Sequence, residues 1–301
     1  MLIKKIKGLM ENYRMLGVGE LESQRFLLGR LLSEKVKHVG QITALRDVEF
    51  SVFSQMGDDG IIQWLIHHLD IPDETFIEFG VEDYRESNTR YLLMNDNWSG
   101  FIMDGSKENI DKVVAAPYFW KYDLIAEAHF IDKENINGLI QRSEFNPTVG
   151  LMHIDLDGND FHIWKEINVI EPLIVIVEYN SVFGIERPIS VPYDLKFIRT
   201  KAHFSNLYWG ASLRALWVLA QEKGYVFIGC NSVGNNAYFV RCDCLNEHVR
   251  EVNLENGFVM SKYRESRDRN GALTYLRGND RANQIKDMPV LNVVTGKIEE
   301  F

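Results

Sequence analysis

Acidic residues recur at one kind of place in this chain, directly after short apolar runs. Glu78, Gly80, Glu82 and Asp83 close or follow TFIEFG (75–80), and Asp104, Gly105 and Ser106 close GFIMDG (100–105). Ala128 and His129 fall near the end of DLIAEAHFI (123–131). Asp155 and Asp157 end GLMHIDLDG (150–158) and Asp160 follows it, and Glu178, Tyr179 and Asn180 end LIVIVEYN (173–180). Ionised carboxylates gathered in one cleft repel one another, so such a set exists to hold a cation, hydroxyl groups or a metal. A pyrophosphate is the opposite case. Dinucleotide binding calls for G-x-G-x-x-G, whose glycines let the backbone approach the phosphates. Here the corresponding turn reads G-V-E-D-Y-R-E, with one glycine and three acids. A dinucleotide site at this turn is disfavoured, and no P-loop sequence occurs.

Elements that could position these acids alternate along the chain. DDGIIQWLIHHL (58–69) reads as a helix opened by an aspartate cap, with Ile61, Ile62, Leu65, Ile66 and Leu69 inward. ESNTRYLLMND (86–96), KENIDKVVA, DKENINGLIQ and FHIWKEI read as helices between the apolar runs. Five β-α units in succession predict a parallel sheet with helices on both faces and right-handed crossovers. After an irregular stretch (181–209), ASLRALWVLAQEKG (211–224) is helical, and YVFIGC and AYFVRC form a strand pair across the turn-rich NSVGNN. The predicted fold class is α/β, a Rossmann-like doubly wound sheet. An N-terminal helical segment (1–50) precedes the main domain (51–250), and a C-terminal extension (251–301) follows it. In open parallel sheets ligands bind at the carboxyl ends of the strands, near the reversal of strand order. The acids stand there.

Bulk properties narrow the setting. The chain has 301 residues, 46% hydrophobic and 25% charged, which is ordinary for a globular protein. No apolar run approaches the roughly 20 residues needed to cross a bilayer. The start, MLIKKIKGLMENYR, lacks the continuous apolar stretch of a signal peptide. Its Leu2, Ile3, Ile6 and Leu9 form one face of a predicted short helix, read first as docked on the body of the protein and alternatively as touching a membrane surface. Cys230, Cys242 and Cys244 cannot all pair within the chain, which suits a reducing, cytoplasmic setting. Cys242 and Cys244 lack zinc spacing and read as strand residues, buried or half-buried. The net charge of −10 counts against nucleic acid as a partner, because such binding relies on neutralising phosphates. The basic run KYRESRDRN (262–270), continuing to Arg277 and Arg281, reads as a salt-bridged surface. Its sharper alternative is a grip on a phosphorylated or nucleotide-linked substrate.

Several stretches match a known family as a set: SQMGDDG (54–60), FIEFGVEDYRESNTRYLL (76–93), NWSGFIMDGS (97–106) and HIDLDGNDFHIWKEI (153–167). IVIVEYNSVFG (174–184), AHFSNLYWGASLRAL (202–216) and GCNSVGNNAYFVR (229–241) complete it. Together they resemble the FkbM-like group of S-adenosylmethionine (SAM)-dependent methyltransferases, in a bacterial branch associated with surface-polysaccharide biosynthesis. The resemblance spans roughly residues 50–245. It implies a SAM-binding sheet in which Glu78 and Gly80 line the methionine moiety and Asp104 holds the ribose hydroxyls. It also implies that Gln55 and Asp59 touch the cofactor from the preceding helix and that Ala128 and His129 lie near the adenine. Ser106 belongs to the same cofactor pocket, and Asp155 falls beside the transferred methyl. The chain departs from the pattern at the second and third glycines of the first motif, where Glu82 and Tyr84 stand.

Each acid also has a structural reading. Gly80 can be a plain turn glycine, Asp104 a helix cap, and Asp157 and Asp160 read first as caps for FHIWKEI. Trp164, Trp209 and Trp217 read as packing residues, with Trp209 able to line a sugar pocket. For methyl transfer to a hydroxyl, a base must take the acceptor's proton, and Asp155 and His203 are the candidates. A second version places magnesium (Mg2+) on Asp155, Glu178 and Asn180 to lower the acceptor's pKa. The acceptor is expected to be a small molecule or carbohydrate, with its pocket in segment 181–210. Competing readings are a non-catalytic Rossmann-like module and a sugar-nucleotide enzyme.

Overall fold

The computed structural model describes residues 2–301, with side chains described from residue 19 onward. The expected docking face of Leu2, Ile3, Ile6 and Leu9 therefore lies outside the described side chains. Helix α1 (Leu2–Lys37) leads to α2 (Asp58–His68). The five apolar runs then form β1 (Thr75–Phe79), β2 (Ser99–Asp104), β3 (Leu124–Ala128), β4 (Leu151–Ile154) and β5 (Ile174–Glu178). They are linked by α3 (Arg90–Asp96), α4 (Lys107–Val114), α5 (Ile136–Ile140) and α6 (Asp160–Glu166). Then come β6 (Ile189–Ser190), α7 (Arg199–Ala202), α8 (Leu213–Glu222), β7 (Tyr225–Cys230) and β8 (Asn236–Arg241). Residues 251–301 supply α9 (Leu254–Gly257), α10 (Asn279–Asn283), β9 (Pro289–Asn292) and β10 (Ile298–Glu300).

The main sheet has seven strands in the order β3-β2-β1-β4-β5-β8-β7. Strands β1 to β5 are parallel, while β8 runs antiparallel to both of its neighbours. This is a Rossmann-like doubly wound sheet. Its order reverses between β1 and β4, which opens a crevice at their carboxyl ends.

Alternation along each strand sends side chains into two cores. Ile77, Phe101, Met152 and Val175 face one core with α5, α6 and α8, and Phe76, Ile102, Leu151 and Ile174 face the other with α2, α3 and α4. All eight are fully buried, and each such side chain contributes about 1.5–3 kcal/mol. A smaller core of Ile189, Val191, Leu207, Ile285 and Val290 underlies a second sheet, ordered β10-β9-β6. The β9 and β10 strands are not legible locally. Strand β6 is two residues long, and its partner lies a hundred residues downstream.

Local departures from the sequence expectation share one cause, polar groups bonded elsewhere. The cap of α2 is Gly57 in a left-handed conformation (φ 97°), with no side-chain cap. The Asp59 carboxylate instead accepts from the backbone N–H groups of Val52, Phe53 and Ser54. Helix α3 begins at Arg90 rather than near Glu86, because residues 87–89 wrap the Glu78 carboxylate. Asp160 does not cap α6 through Asn159's place. Its two oxygens accept from Leu156 N and Gly158 N and so shape the loop after β4. Cys242 and Cys244 lie in a short 3-10 turn after β8, and Cys242 is exposed rather than packed in a strand. Among the described residues no helix is long and apolar enough to cross a membrane.

Candidate active site

A cleft of about 630 Å³ opens at the carboxyl ends of β1, β2, β4 and β5. Its β1 wall is organised by Glu78, which is 2% exposed. Oε1 accepts from Asn88 N at 3.0 Å and sits 2.9 Å from His153 Nδ1, and Oε2 accepts from Ser87 Oγ at 2.6 Å and Thr89 Oγ1 at 2.5 Å. Burial opposes the charge on Glu78, but these donors outweigh it and hold the carboxyl below its usual range. For His153, burial opposes protonation and Glu78 more than offsets it, so the imidazole titrates above its usual value.

The turn after β1 keeps an unusual backbone. Gly80 (φ 74°), Glu82 (φ 47°) and Tyr84 (φ 60°) are all left-handed. Gly80 is required by space as well, since a Cβ there would collide with the Asp155 carbonyl oxygen. Glu82 and Tyr84 hold without glycine a conformation that costs other residues roughly 1–2 kcal/mol each. The contacts that fix it are visible. Glu82 N donates to Asp104 Oδ2 at 2.8 Å, and the fully buried Tyr84 places its hydroxyl 2.8 Å from Thr89 Oγ1. Asp104, at the end of β2, also accepts from Ser106 N at 2.7 Å. A carboxylate offers about four lone-pair sites, so Asp104 retains acceptor capacity toward the cleft.

At the β4–β5 wall, carboxylate oxygens of Asp155, Asp157 and Glu178 lie within 4.8 Å of one another. Burial raises Asp155 to about 7, with Asp157 and Asp160 adding to the shift and His153 opposing it. Burial, reinforced by Asp155, drives Glu178 well above the ordinary carboxylate range. Arg199 supplies positive charge beside them. It lies 3.1 Å from Asp157 and 2.7 Å from Glu265, and it stacks 4.2 Å above the Trp209 ring.

The structure brings Gln55, Glu78, Gly80, Asp104, His129, Asp155 and Glu178 to the cleft wall, together with Asn180. Gln55 Nε2 donates to Glu86 at 3.3 Å, and His129 Nε2 pairs with Glu127 at 3.0 Å. Four expected residues do not line it. Asp59 turns its carboxylate to the backbone of residues 52–54, and its neighbour Asp58 faces the cleft instead. Ser106 caps α4 through Asn109 N, and Ala128 packs against the core beside α4. His203 lies outside the cleft, with Nδ1 2.7 Å from Ser205 Oγ and its ring against Phe204. Burial and Arg269 hold it below the usual imidazole range.

Asn180 reaches the wall with its amide already bonded to the protein. Its Nδ2 donates to the Leu207 and Trp209 carbonyls, and its Oδ1 accepts from Val182 N. Asp157, expected as a cap, takes the third place in the carboxylate group. Sequence reasoning did not single out His153, while Arg199 lies in segment 181–210, expected to hold the acceptor, and Tyr263, Glu265 and Arg281 lie in the basic run whose alternative reading was a substrate grip; all five line the cleft. His153 had a readable signal, since it lies on β4 two residues before Asp155. The others come from segments whose fold is set by long-range contacts.

No protein-family model and no curated protein matches the chain. Solved structures of similar fold include the N-terminal domain of EvdMO1 with S-adenosylhomocysteine (SAH) bound, 10% identical, covering 55% of this chain and 72% of that one, TM-score 0.35. The CurJ carbon methyltransferase is 13% identical, covering 65% and 57%, TM-score 0.39. A SAM-dependent methyltransferase from Clostridium acetobutylicum ATCC 824 is 9% identical, covering 61% and 89%, TM-score 0.37. Likenesses this distant say nothing about activity.

Proposed function

We propose that this chain is a SAM-dependent methyltransferase of the FkbM-like kind, acting on a hydroxyl of a small molecule, a sugar or sugar-derived surface-polysaccharide precursor. The observation that carries the reading is the acid-lined cleft at the β1–β4 reversal, entered by a turn with three left-handed residues. A cofactor with a sulfonium, an ammonium and a ribose diol suits such a wall, whereas a pyrophosphate is repelled by it. Retention of the left-handed backbone at Glu82 and Tyr84 also counts against a decayed, non-catalytic module.

When bound, SAM would supply a methyl carbon already activated by its sulfonium. Gln55, Gly80, His129 and Asp104 would hold it, with Asp104 accepting from the ribose hydroxyls. Asp155, poised near neutrality, would take the proton of the acceptor hydroxyl as its oxygen bonds to the methyl carbon. The segment bearing Arg199 and Trp209 would orient the acceptor.

Calorimetric titration with SAH tests the reading. The wild type should bind, and Asp104→Ala should lose at least tenfold in affinity while staying folded, because two charge-assisted hydrogen bonds are removed. No binding by the wild type at millimolar SAH would sink the proposal. An unchanged dissociation constant in the variant would leave Asp104 as a structural group only.

A further inference from the structure

Charge in the cleft is unevenly answered. On the β4–β5 wall, Asp155, Asp157, Glu178 and Glu265 face a single adjacent guanidinium, Arg199, whose partners are Asp157 and Glu265. Arg281 also lines the cleft, but its Nη atoms donate to the Ser261 and Tyr263 carbonyls and hold that segment as a wall. Arg199 lies near enough to favour their charged forms, yet Asp155 and Glu178 have no direct ion pair and no hydrogen-bond donor to their carboxylates among the described residues.

A second observation concerns hydrogen bonding. Glu178, 8% exposed, has a buried Oε2 without a donor, and so have Asn159 (8%) and Asn236 (4%) at their Oδ1 atoms. Asn236 is the cross-strand partner of Glu178, and all three residues line the cleft. Their orientation is fixed. Asn159 Nδ2 donates to the Asp194 carbonyl, and Asn236 Nδ2 donates to Asp58, which leaves both carbonyl oxygens acceptor-only. Buried polar groups in native proteins are hydrogen-bonded as a rule, so the orphaned Glu178 oxygen, beside the carboxylates of Asp155 and Asp157, points to a ligand that brings donors and positive charge.

We propose that the acceptor is recognised through a protonated aliphatic amine lodged against Glu178, Asp155 and Asp157, so that its class is an amino sugar or similar amine-bearing polyol. An ammonium group brings three N–H donors and one positive charge, which matches both deficits. A divalent cation matches them less well. It brings charge but no N–H donors of its own, although the three carboxylates stand at a spacing that would also accept one. The subsite deepens the methyltransferase reading and rests on it for the word acceptor.

Calorimetry on the full chain tests it in order. SAH is titrated first; then glucosamine, galactosamine and mannosamine, each against glucose, galactose or mannose, are titrated with SAH present; MgCl2 is titrated separately. At least one amino sugar should bind tenfold or more tightly than its neutral counterpart. The advantage should shrink to within twofold in Glu178→Gln and fall at least threefold in Asp157→Asn, a conservative change at a solvent-exposed site. The proposal is overturned if no amino sugar is preferred, if the preference survives Glu178→Gln, or if Mg2+ binds in a Glu178-dependent way. If SAH fails to bind while the amine preference holds, the ammonium subsite stands and the methyl-transfer reading falls.

Discussion

On the β1–β2 side of the cleft, both carboxylate oxygens of Glu78 and of Asp104 have donors from the protein itself. On the β4–β5 side, Asp155 and Glu178 accept no hydrogen bond among the described residues, and burial drives both upward in pKa. The first half is held in place by the protein's own donors. The second is arranged so that a proton or a cationic, donor-rich ligand completes it. A cleft of this kind separates the two demands on a binding site, rigid placement on one wall and unsatisfied charge on the other.

The comparison is broken most directly at Glu78. Glu78→Ala leaves three donors and a buried imidazole without their acceptor, and loss of one member of a buried pair costs about 3–5 kcal/mol. Urea unfolding should show a loss of that order. A loss below about 1 kcal/mol would mean that the β1 wall does not depend on this carboxylate.

The opposite wall should respond with the opposite sign. Asp155 holds its proton more tightly folded, to about 7, than unfolded, near 3.8. Its contribution to stability is therefore fully present below about pH 4 and is lost as pH rises through 7. Asp155→Asn removes that decline, and above pH 7 the variant should exceed the wild type by about 2–4 kcal/mol. Unfolding measured at pH 5 and pH 8 decides the matter. Parallel profiles for the two proteins would show that Asp155 titrates normally. If Asp155 is the base, methyl transfer should also fall in the variant at every pH.

The smallest effect sharpens the account of the first turn. Glu82→Gly relieves a left-handed side chain at an exposed site while adding chain entropy to the unfolded state. The net gain should be at most about 1 kcal/mol, with SAH affinity within twofold of the wild type. A large loss of affinity would give the Glu82 side chain a direct part in binding.

Much of this arrangement was legible before folding was considered. Short apolar runs ending in acids mark buried parallel strands whose carboxyl ends meet in one crevice, and periodicity supplied the alternating helices. Glu78, Asp104 and Asp155 are placed by that logic alone. It could not decide which of Asp58 and Asp59 faces inward, because adjacent residues at a helix start differ only by a rotation that tertiary packing sets. Nor could it decide that Ser87 to Thr89 would leave the helix to wrap a carboxylate nine to eleven residues away.

The sequence by itself determined the sheet, its strand-end acids and the glycine at position 80, because period and composition act over a few residues. Tertiary structure alone decided that His203 stands outside the cleft, that Arg199 stacks on Trp209 beside the acids, and that Tyr263 and Arg281 close the wall. It also kept Glu82 and Tyr84 left-handed without glycine, through Asp104 and Thr89. The reason is physical. Each of these placements depends on a partner distant in the chain or on a contact made only once the sheet has closed, and a local pattern holds no record of either.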